Sequence, residues 1–110
     1  MKNLYKILIL FLSFSFCENR ISYYENGQIK EEKNYKDGKK DGKWIWYYKN
    51  GRIKFDNNYK DGELDGKSTN YYENGQIELD GNYKNGKKYG KWIWYYENGK
   101  KDVEENYKEM

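Results

Sequence analysis

The fold of this chain follows from the stretch Gly42-Lys43-Trp44-Ile45-Trp46-Tyr47-Tyr48-Lys49-Asn50-Gly51. The stretch returns 48 residues later, at 90–99, and a weaker copy without tryptophan occupies 66–75. A truncated first copy occupies 21–27, and paired tyrosines begin at positions 23, 47, 71 and 95. The period is therefore 24 residues with no insertion or deletion, which predicts an architecture of stacked structural repeats.

Each repeat carries two turn signals. The first is Asn-Gly, as in Asn50-Gly51, which between β-forming residues favours a two-residue type I′ turn because both residues tolerate positive φ. The second is a longer polar loop with two glycines four residues apart, predicted at 36–42, 60–66 and 84–90. Each glycine inside a helix costs roughly 1 kcal/mol relative to alanine, so the frequent glycines disfavour a helical fold. The sequence predicts an all-β fold: a single antiparallel meander of about four stacked β-hairpins with a 24-residue period.

An aromatic ridge on one face of the sheet is the main candidate for a functional site. If the Asn-Gly turns contain two residues, the strand register can be counted outward from the turn. This register predicts that Tyr48 pairs with Ile53, Trp46 with Phe55 and Trp44 with Asn57. Alternate side chains of a strand share a face. The residues expected to form the ridge are Trp44, Trp46, Tyr48, Phe55, Tyr72, Trp92, Trp94 and Tyr96.

The amino-terminal residues predict export. Lys2 and Lys6 precede an apolar run from Ile7 to Phe16. A basic segment followed by such a run is typical of a signal peptide, here over 1–16. The run is shorter than the ~20 residues of a helical membrane span. Cys17, the only cysteine, follows directly and predicts a lipoprotein of the bacterial cell envelope that is anchored to the membrane there. Residues 17–20 would be the tether and 21–110 the repeat domain; plain secretion is the alternative.

Charge and residue types exclude several classes of function. Apart from Lys2 and Lys6, acidic and basic residues nearly balance and alternate along the chain, so no basic stripe for nucleic acid is expected. The chain has no histidine and one cysteine, which excludes Ser/His/Asp and Cys/His catalysis and Cys/His metal sites. Glu31 and Glu32 are neighbours whose side chains point to opposite faces of a strand. We therefore expect no enzyme activity and no cofactor.

The polar loop at 61–66 is the one place where calcium binding needs consideration. Asp61, Glu63 and Asp65 with Gly66 follow the spacing of the first half of an EF-hand loop. The twelfth position is Tyr72 instead of glutamate, and no helices are predicted on either side. We interpret the loop as a polar turn and expect no metal.

The repeat resembles a known family. The pattern Tyr-x-x-Gly-x-x-x-Gly-Lys-Trp, which begins at Tyr35, is similar to MORN repeats, and Tyr-Tyr-Glu-Asn-Gly-Gln-Ile at 71–77 most resembles the variant in bacterial YwqK-family antitoxins. The resemblance covers residues 21–107. It departs in the third unit, where Ser68 and Asn70 replace the tryptophans, and in the fourth, where Lys101 replaces isoleucine. The resemblance implies an elongated sheet of hairpins used for contact with other molecules, and the YwqK relationship implies a toxin as partner.

Three functions remain open at this point. In the first, the ridge binds a protein, with a toxin as one version. In the second, it binds cell-wall glycan or lipid head groups. In the third, the chain is a structural surface protein whose aromatic residues serve only packing. A single-layer sheet has no second layer to cover its aromatic face, and monomers rarely expose apolar patches above a few hundred Å². The sequence therefore favours a protein partner bound at the ridge.

Overall fold

A computed structural model describes residues 15–108, and these residues form one open antiparallel sheet. The strands follow one another in chain order, except that the short β5 pairs only with β4 beside β6. The predicted all-β meander of hairpins is confirmed. Residues 1–14 of the predicted signal peptide lie outside the described residues. The strands are β1 Cys17–Tyr23, β2 Ile29–Lys36, β3 Lys39–Tyr47, β4 Ile53–Lys60, β5 Glu63–Leu64, β6 Gly66–Tyr71, β7 Ile77–Lys84, β8 Lys87–Tyr95 and β9 Lys101–Tyr107.

The turn between β2 and β3 is much tighter than the sequence suggested. Lys36 pairs with Lys39, so only Asp37 and Gly38 lie outside the ladder, with φ of 51° and 80°. Positive φ at both residues is the geometry of a type I′ turn. The prediction of a long polar loop over 36–42 is therefore wrong, because the strand resumes at Lys39 and contains Gly42 as an irregularity with φ 96°. The same turn recurs at 61–62 and 85–86.

The Asn-Gly loops also differ from the prediction. The Gly51 amide donates to the Tyr48 carbonyl at 3.0 Å and the Tyr48 amide to the Arg52 carbonyl at 2.7 Å, which leaves a loop of three residues, 49–51. Gly51 has φ of 90°, whereas Asn50 does not adopt positive φ. The Asn50 side chain instead accepts a hydrogen bond from the Arg52 amide at 2.9 Å. The type I′ prediction is wrong here because asparagine acts through its side chain.

An extra residue in the next strand offsets the longer loop. Trp46 pairs with Phe55 as predicted, but the next pair is Tyr47 with Ile53, which leaves Lys54 as a bulge. A shift of one residue in register moves a side chain to the other face of the sheet. The Ile53 side chain therefore lies on the face that does not carry the tryptophans. The predicted pairing of Ile53 with the second tyrosine of the pair is therefore wrong, while the register of the tryptophans is right. Equivalent bulges occur at Lys30, Glu78 and Asp102.

Side chains join each repeat to the next. The Tyr48 hydroxyl donates to the Tyr71 carbonyl at 2.6 Å, and the Asn50 amide nitrogen donates to the Glu73 carbonyl at 3.3 Å. Each repeat is thus stabilised by its neighbour, as in other repeat proteins. The hydroxyl donors in the three successive links are Tyr24, Tyr48 and Tyr72, and the amide donors are Asn26, Asn50 and Asn74.

The sheet is a single layer that reaches back to Cys17. Its thinnest dimension is 10 Å, about the span of one layer with its side chains. The residues expected to form a tether, 17–20, lie in β1 and pair with β2, and Cys17 itself is exposed with a free thiol. Within residues 15–108, no helix has the length and apolar character to cross a membrane.

Candidate functional site

Two cross-strand rows of side chains organise the face that carries the tryptophans, hereafter the tryptophan face. Pairing aligns Trp44 and Trp92 on one row and Trp46 and Trp94 on the next, closer to the Asn-Gly loops. The inner row consists of Lys33, Trp44, Asn57, Ser68, Gly81, Trp92 and Glu105. The outer row consists of Glu31, Trp46, Phe55, Asn70, Leu79, Trp94 and Val103.

Trp44 of the inner row is buried although the sheet has no second layer. Its ring lies between two tyrosine rings, with centroids 5.3 Å from Tyr35 and 5.1 Å from Tyr59. The indole nitrogen donates to the Asn34 carbonyl at 2.8 Å. Only 8% of the residue remains exposed. Neighbouring rings on the same face therefore supply the cover that a second layer would give.

Trp92 repeats this arrangement and is buried even more completely, with 1% exposed. Tyr83 lies at 5.1 Å on one side and Tyr107 at 6.4 Å on the other. Gly81 provides the floor, because a Cβ at that position would come within 2.1 Å of the indole ring. Glycine here serves close packing, since its φ is not in the positive region.

Lysine side chains cover the inner tryptophans from the solvent side. The Lys40 ammonium lies 4.5 Å from the Trp44 ring centroid and Lys33 lies at 5.2 Å. Lys88 lies 4.9 Å from the Trp92 ring. Lysine stems bury apolar surface while the charged head stays in water, and the cation is attracted to the ring face. The inner row is thus a packed core, and two members of the predicted ridge belong to it.

The outer row is left open by comparison. Trp46 is 40% exposed and has one ring contact, with Phe55 at 5.5 Å. Val103 is 44% exposed, and Phe55 and Trp94 are half-buried. Of the predicted ridge residues, Trp46 and Phe55 are therefore in contact on an accessible row, and Trp94 lies on the same row beyond Asn70 and Leu79. Beside Trp46, a depression is lined by Lys33, Lys40, Asn57 and Tyr59 together with the two tryptophans of β3.

The tyrosines of the predicted ridge have a different role. Tyr48 and Tyr72 are the half-buried donors that link neighbouring repeats. Burial, aided by the charges of Glu78 and Glu73, raises the pKa of Tyr48 above its ordinary value. Tyr96 has no following repeat in the described chain and is 52% exposed; a hydrogen bond to Asp102 raises its pKa.

The third repeat interrupts both rows with polar groups. Ser68 takes the place of the inner tryptophan, is buried, and donates to the Asn57 side chain. On the opposite face the buried Thr69 donates to the Asp80 carboxylate at 3.0 Å. In the outer row Asn70 takes the place of the tryptophan, and the apolar Leu79 follows it on the next strand. The middle of the face is consequently flatter and more polar than its two ends.

Charges around the outer row are of both signs. Lys54 lies 5.3 Å from the Phe55 ring, while Glu31 pairs with Lys33 at 3.1 Å. Burial alone would raise the pKa of Glu31, but hydrogen bonds and charge from Lys33, with a further hydrogen bond from Trp46, lower it overall. At the carboxyl-terminal end Glu105 accepts from the Tyr107 hydroxyl at 2.8 Å, and the Lys88 ammonium lies 5.3 Å from the Tyr107 ring.

The sequence reasoning missed two groups of residues on this face. The covering lysines were not identified, although Lys40 and Lys88 recur at the same place in the repeat. The apolar residues Leu79 and Val103 were recognised as strand partners but not as continuations of the accessible row. Applying the 24-residue period to every side chain of the face would have found both groups.

Within residues 15–108, no group of three or more His, Cys, Asp or Glu side chains could hold a metal ion. Near the depressions along the sheet, Asp56 pairs with Lys43 at 3.0 Å, whereas Asp41 and Asp65 accept hydrogen bonds from the backbone amides of Asp61 and Asn85. What the tryptophan face offers is a contact surface.

Comparison with known proteins identifies the repeat. The family model described as MORN repeat variant matches four segments, which together make up most of the chain: residues 19–37, 40–61, 64–85 and 88–109. The boundaries between the matches fall at the type I′ turns. No curated protein matches the chain.

Proposed function

Because the chain belongs to the MORN repeat variant family, we propose that it is a non-catalytic interaction module that binds a protein partner through the outer row of the tryptophan face. The observation that carries the proposal is the contrast in burial between the two rows. Tryptophan 44 is covered by its neighbours, whereas Trp46 remains 40% exposed at the same face of the same strand. Accessible apolar side chains with no cover of their own are where a partner would gain most by docking.

The chemistry around the row favours a protein over other partners. Aromatic anchors surrounded by polar and charged groups are typical of protein interfaces. Lys40 and Lys54 lie on β3 and β4, and Asp102 and Glu105 lie on β9 beside Lys88 of β8. Charges of both signs suit a folded partner with a complementary pattern. A nucleic acid or an anionic glycan would favour a face of one sign.

Export and anchoring are part of the proposal. The support is the sequence of residues 1–17 and the exposed position of the Cys17 thiol at the start of β1. The expected product is a sheet attached to the cell envelope by lipid on Cys17. Labelling with a fatty-acid analogue in cells should depend on this residue. Labelling that persists in Cys17→Ser would exclude the lipoprotein.

The toxin version of the proposal rests only on the YwqK-like repeat sequence, Tyr-Tyr-Glu-Asn-Gly-Gln-Ile, which occurs at 23–29 and again at 71–77. In that version the partner is a toxin and binding neutralises it. Co-expression with a candidate toxin gene from the same locus provides the test. Growth that is restored by the native chain and lost with the outer-row variant described next would support it, whereas equal rescue by both would contradict it.

A matched pair of variants tests the contact surface. Trp46→Ala with Trp94→Ala removes the two aromatic anchors of the outer row. Tyr89→Ala is the control, because Tyr89 is also 40% exposed but pairs with Asn82 on the opposite face. We expect both variants to stay folded by circular dichroism, while only the first loses at least about tenfold in affinity for a captured protein. Unchanged binding by the outer-row variant would refute the proposed surface, and binding to glycan or liposomes in its place would assign another partner class.

A further inference from the structure

The two edge strands of the sheet, β1 and β9, have no strand beside them within the described residues. In the 24-residue period β9 occupies the place of β2, and β1 occupies the place of β3. The interior contact between β2 and β3 therefore shows what β9 would meet if the repeat continued. We propose that β9 of one copy pairs antiparallel with β1 of a second copy, so that the sheet extends head to tail in the register of its own repeats.

The register of this contact follows from the interior pairs. Between β2 and β3 the partners are Glu31 with Trp46, Glu32 with Ile45, and Lys33 with Trp44. Moving each residue by whole periods of 24 gives the corresponding partners between copies. They are Val103 with Ser22, Glu104 with Ile21, and Glu105 with Arg20 of the second copy.

Charge complementarity supports the head-to-tail arrangement. Arg20 takes the place of the inner tryptophan in β1 and stacks on Tyr35 at 4.6 Å, as Trp44 stacks on Tyr59. The guanidinium also pairs with the Glu18 carboxylate of its own strand, which leaves further N–H donors. At the proposed contact Arg20 would meet Tyr107 and the Glu105 carboxylate of the other copy. Glu105 accepts one bond, from Tyr107, and an ionised carboxylate has room for further donors. Arginine against carboxylate is the strongest such pairing between side chains.

Hydrogen-bond donors at the carboxyl-terminal edge point to the same occupant. In three repeats, asparagine of the Asn-Gly loop donates to a carbonyl of the next repeat. Asn98, the fourth, has no such acceptor within residues 15–108, and Tyr96 is left exposed beside Asp102. By the period, their acceptors would be the carbonyls of Glu25 and Tyr23 in a second copy.

Pairing of two β9 edges is disfavoured. Two β9 edges together would bring Glu104 and Glu105 of both copies side by side, and like charges across a strand pair are destabilising. Charged edge strands usually prevent pairing between sheets. Here the register sets one pair of opposite charges, Arg20 against Glu105, across the head-to-tail contact. A head-to-tail contact uses different surfaces on each copy and does not close, so longer chains of copies form as concentration rises.

Charge reversal tests the contact in solution. Sedimentation velocity of the full chain should show larger species as concentration increases. Glu105→Arg alone and Arg20→Glu alone should each abolish them, because both place like charges at the contact. Mixing the two variants should restore assembly, since each then offers the edge that the other needs. Lys49→Glu, an exposed change in an interior loop, is the control and should assemble as the native chain does.

Cysteine pairing tests the register independently of affinity. In a Cys17→Ser background, Ser22→Cys and Val103→Cys chains should form disulfide-linked dimers when mixed, and far fewer when either is oxidised alone. Three results would each overturn the proposal: a native chain that stays monomeric at all concentrations, assembly indifferent to both charge reversals, or Val103→Cys chains that link to one another as readily as to Ser22→Cys chains.

Discussion

Trp44 and Trp46 lie two residues apart on one strand and one face, yet one is 8% exposed and the other 40%. The difference comes from their neighbours across the sheet. Trp44 lies between Tyr35 and Tyr59, while Trp46 faces only Phe55. In a single-layer sheet, one aromatic stripe can therefore be divided into a buried inner row and an accessible outer row without a second layer.

The largest expected loss of stability comes from removing a tryptophan of the inner row. Trp92→Ala should lower the free energy of unfolding by about 3–5 kcal/mol, since a fully buried tryptophan is lost and the sheet cannot close the gap. Trp94→Ala, on the same strand in the outer row, is the control and should lower the free energy of unfolding by about 1 kcal/mol or less. Chemical denaturation followed by circular dichroism measures both. Similar losses for the two variants would remove the distinction between the rows.

A smaller effect is expected where Trp92 rests on Gly81. Gly81→Ala would place a methyl group within 2.1 Å of the indole ring, so the ring must move. We expect a loss of about 1–3 kcal/mol in the free energy of unfolding, as for overpacked cores. In the Trp92→Ala background the same change should cost much less, and a double-mutant cycle measures that coupling. Additive losses would mean that the two residues do not pack as described.

The links between repeats contribute less. Tyr48→Phe removes the hydroxyl that donates to the Tyr71 carbonyl at 2.6 Å and should cost about 1 kcal/mol. Tyr96→Phe is the comparison, because the Tyr96 hydroxyl bonds to the Asp102 side chain in its own repeat, at an exposed position, and has no following repeat in the described chain. In dilute protein its effect on the urea midpoint should be smaller. Equal effects would show that the hydroxyl acts within its own repeat.

The smallest effect concerns alkaline pH. Burial, followed by the charge of nearby carboxylates, raises the pKa of Tyr47 and Tyr48. An unfolded tyrosine ionises near pH ~10, so the native state holds its protons to higher pH. This contribution is complete below the unfolded pKa and is lost as pH rises through the folded pKa. The urea midpoint should thus fall above pH ~10, in step with phenolate absorbance. A midpoint that stays constant through tyrosine ionisation would contradict these shifts.

Much of this fold could be predicted from the sequence because the period is strict. Pairing of Trp46 with Phe55 and of Trp44 with Asn57 followed from counting and is confirmed. The counting succeeded even though its turn was wrong, because the third loop residue is offset by the bulge at Lys54. Ile53, which lies between the loop and the bulge, was therefore assigned to the wrong face.

The split between the two rows could not be predicted from strand alternation. Alternation puts Trp44 and Trp46 on one face and treats them alike. Their burial depends on how the rings of Tyr35 and Tyr59 lean along the face, which depends on the tight turns and on the irregularity at Gly42. The third repeat adds a further difference. At the position of the inner tryptophan it has Ser68, whose hydroxyl donates a hydrogen bond to the Asn57 side chain.

Hydroxyl-radical footprinting of the four tryptophans, free and with the protein partner bound, tests the division of the face most directly. The account predicts that Trp46 and Trp94 oxidise readily in the free protein and become protected when the partner binds. Trp44 and Trp92 should resist oxidation in both states, and Tyr89 on the opposite face should not change. Equal oxidation of all four tryptophans, or protection at Tyr89 without protection at Trp46, would contradict it.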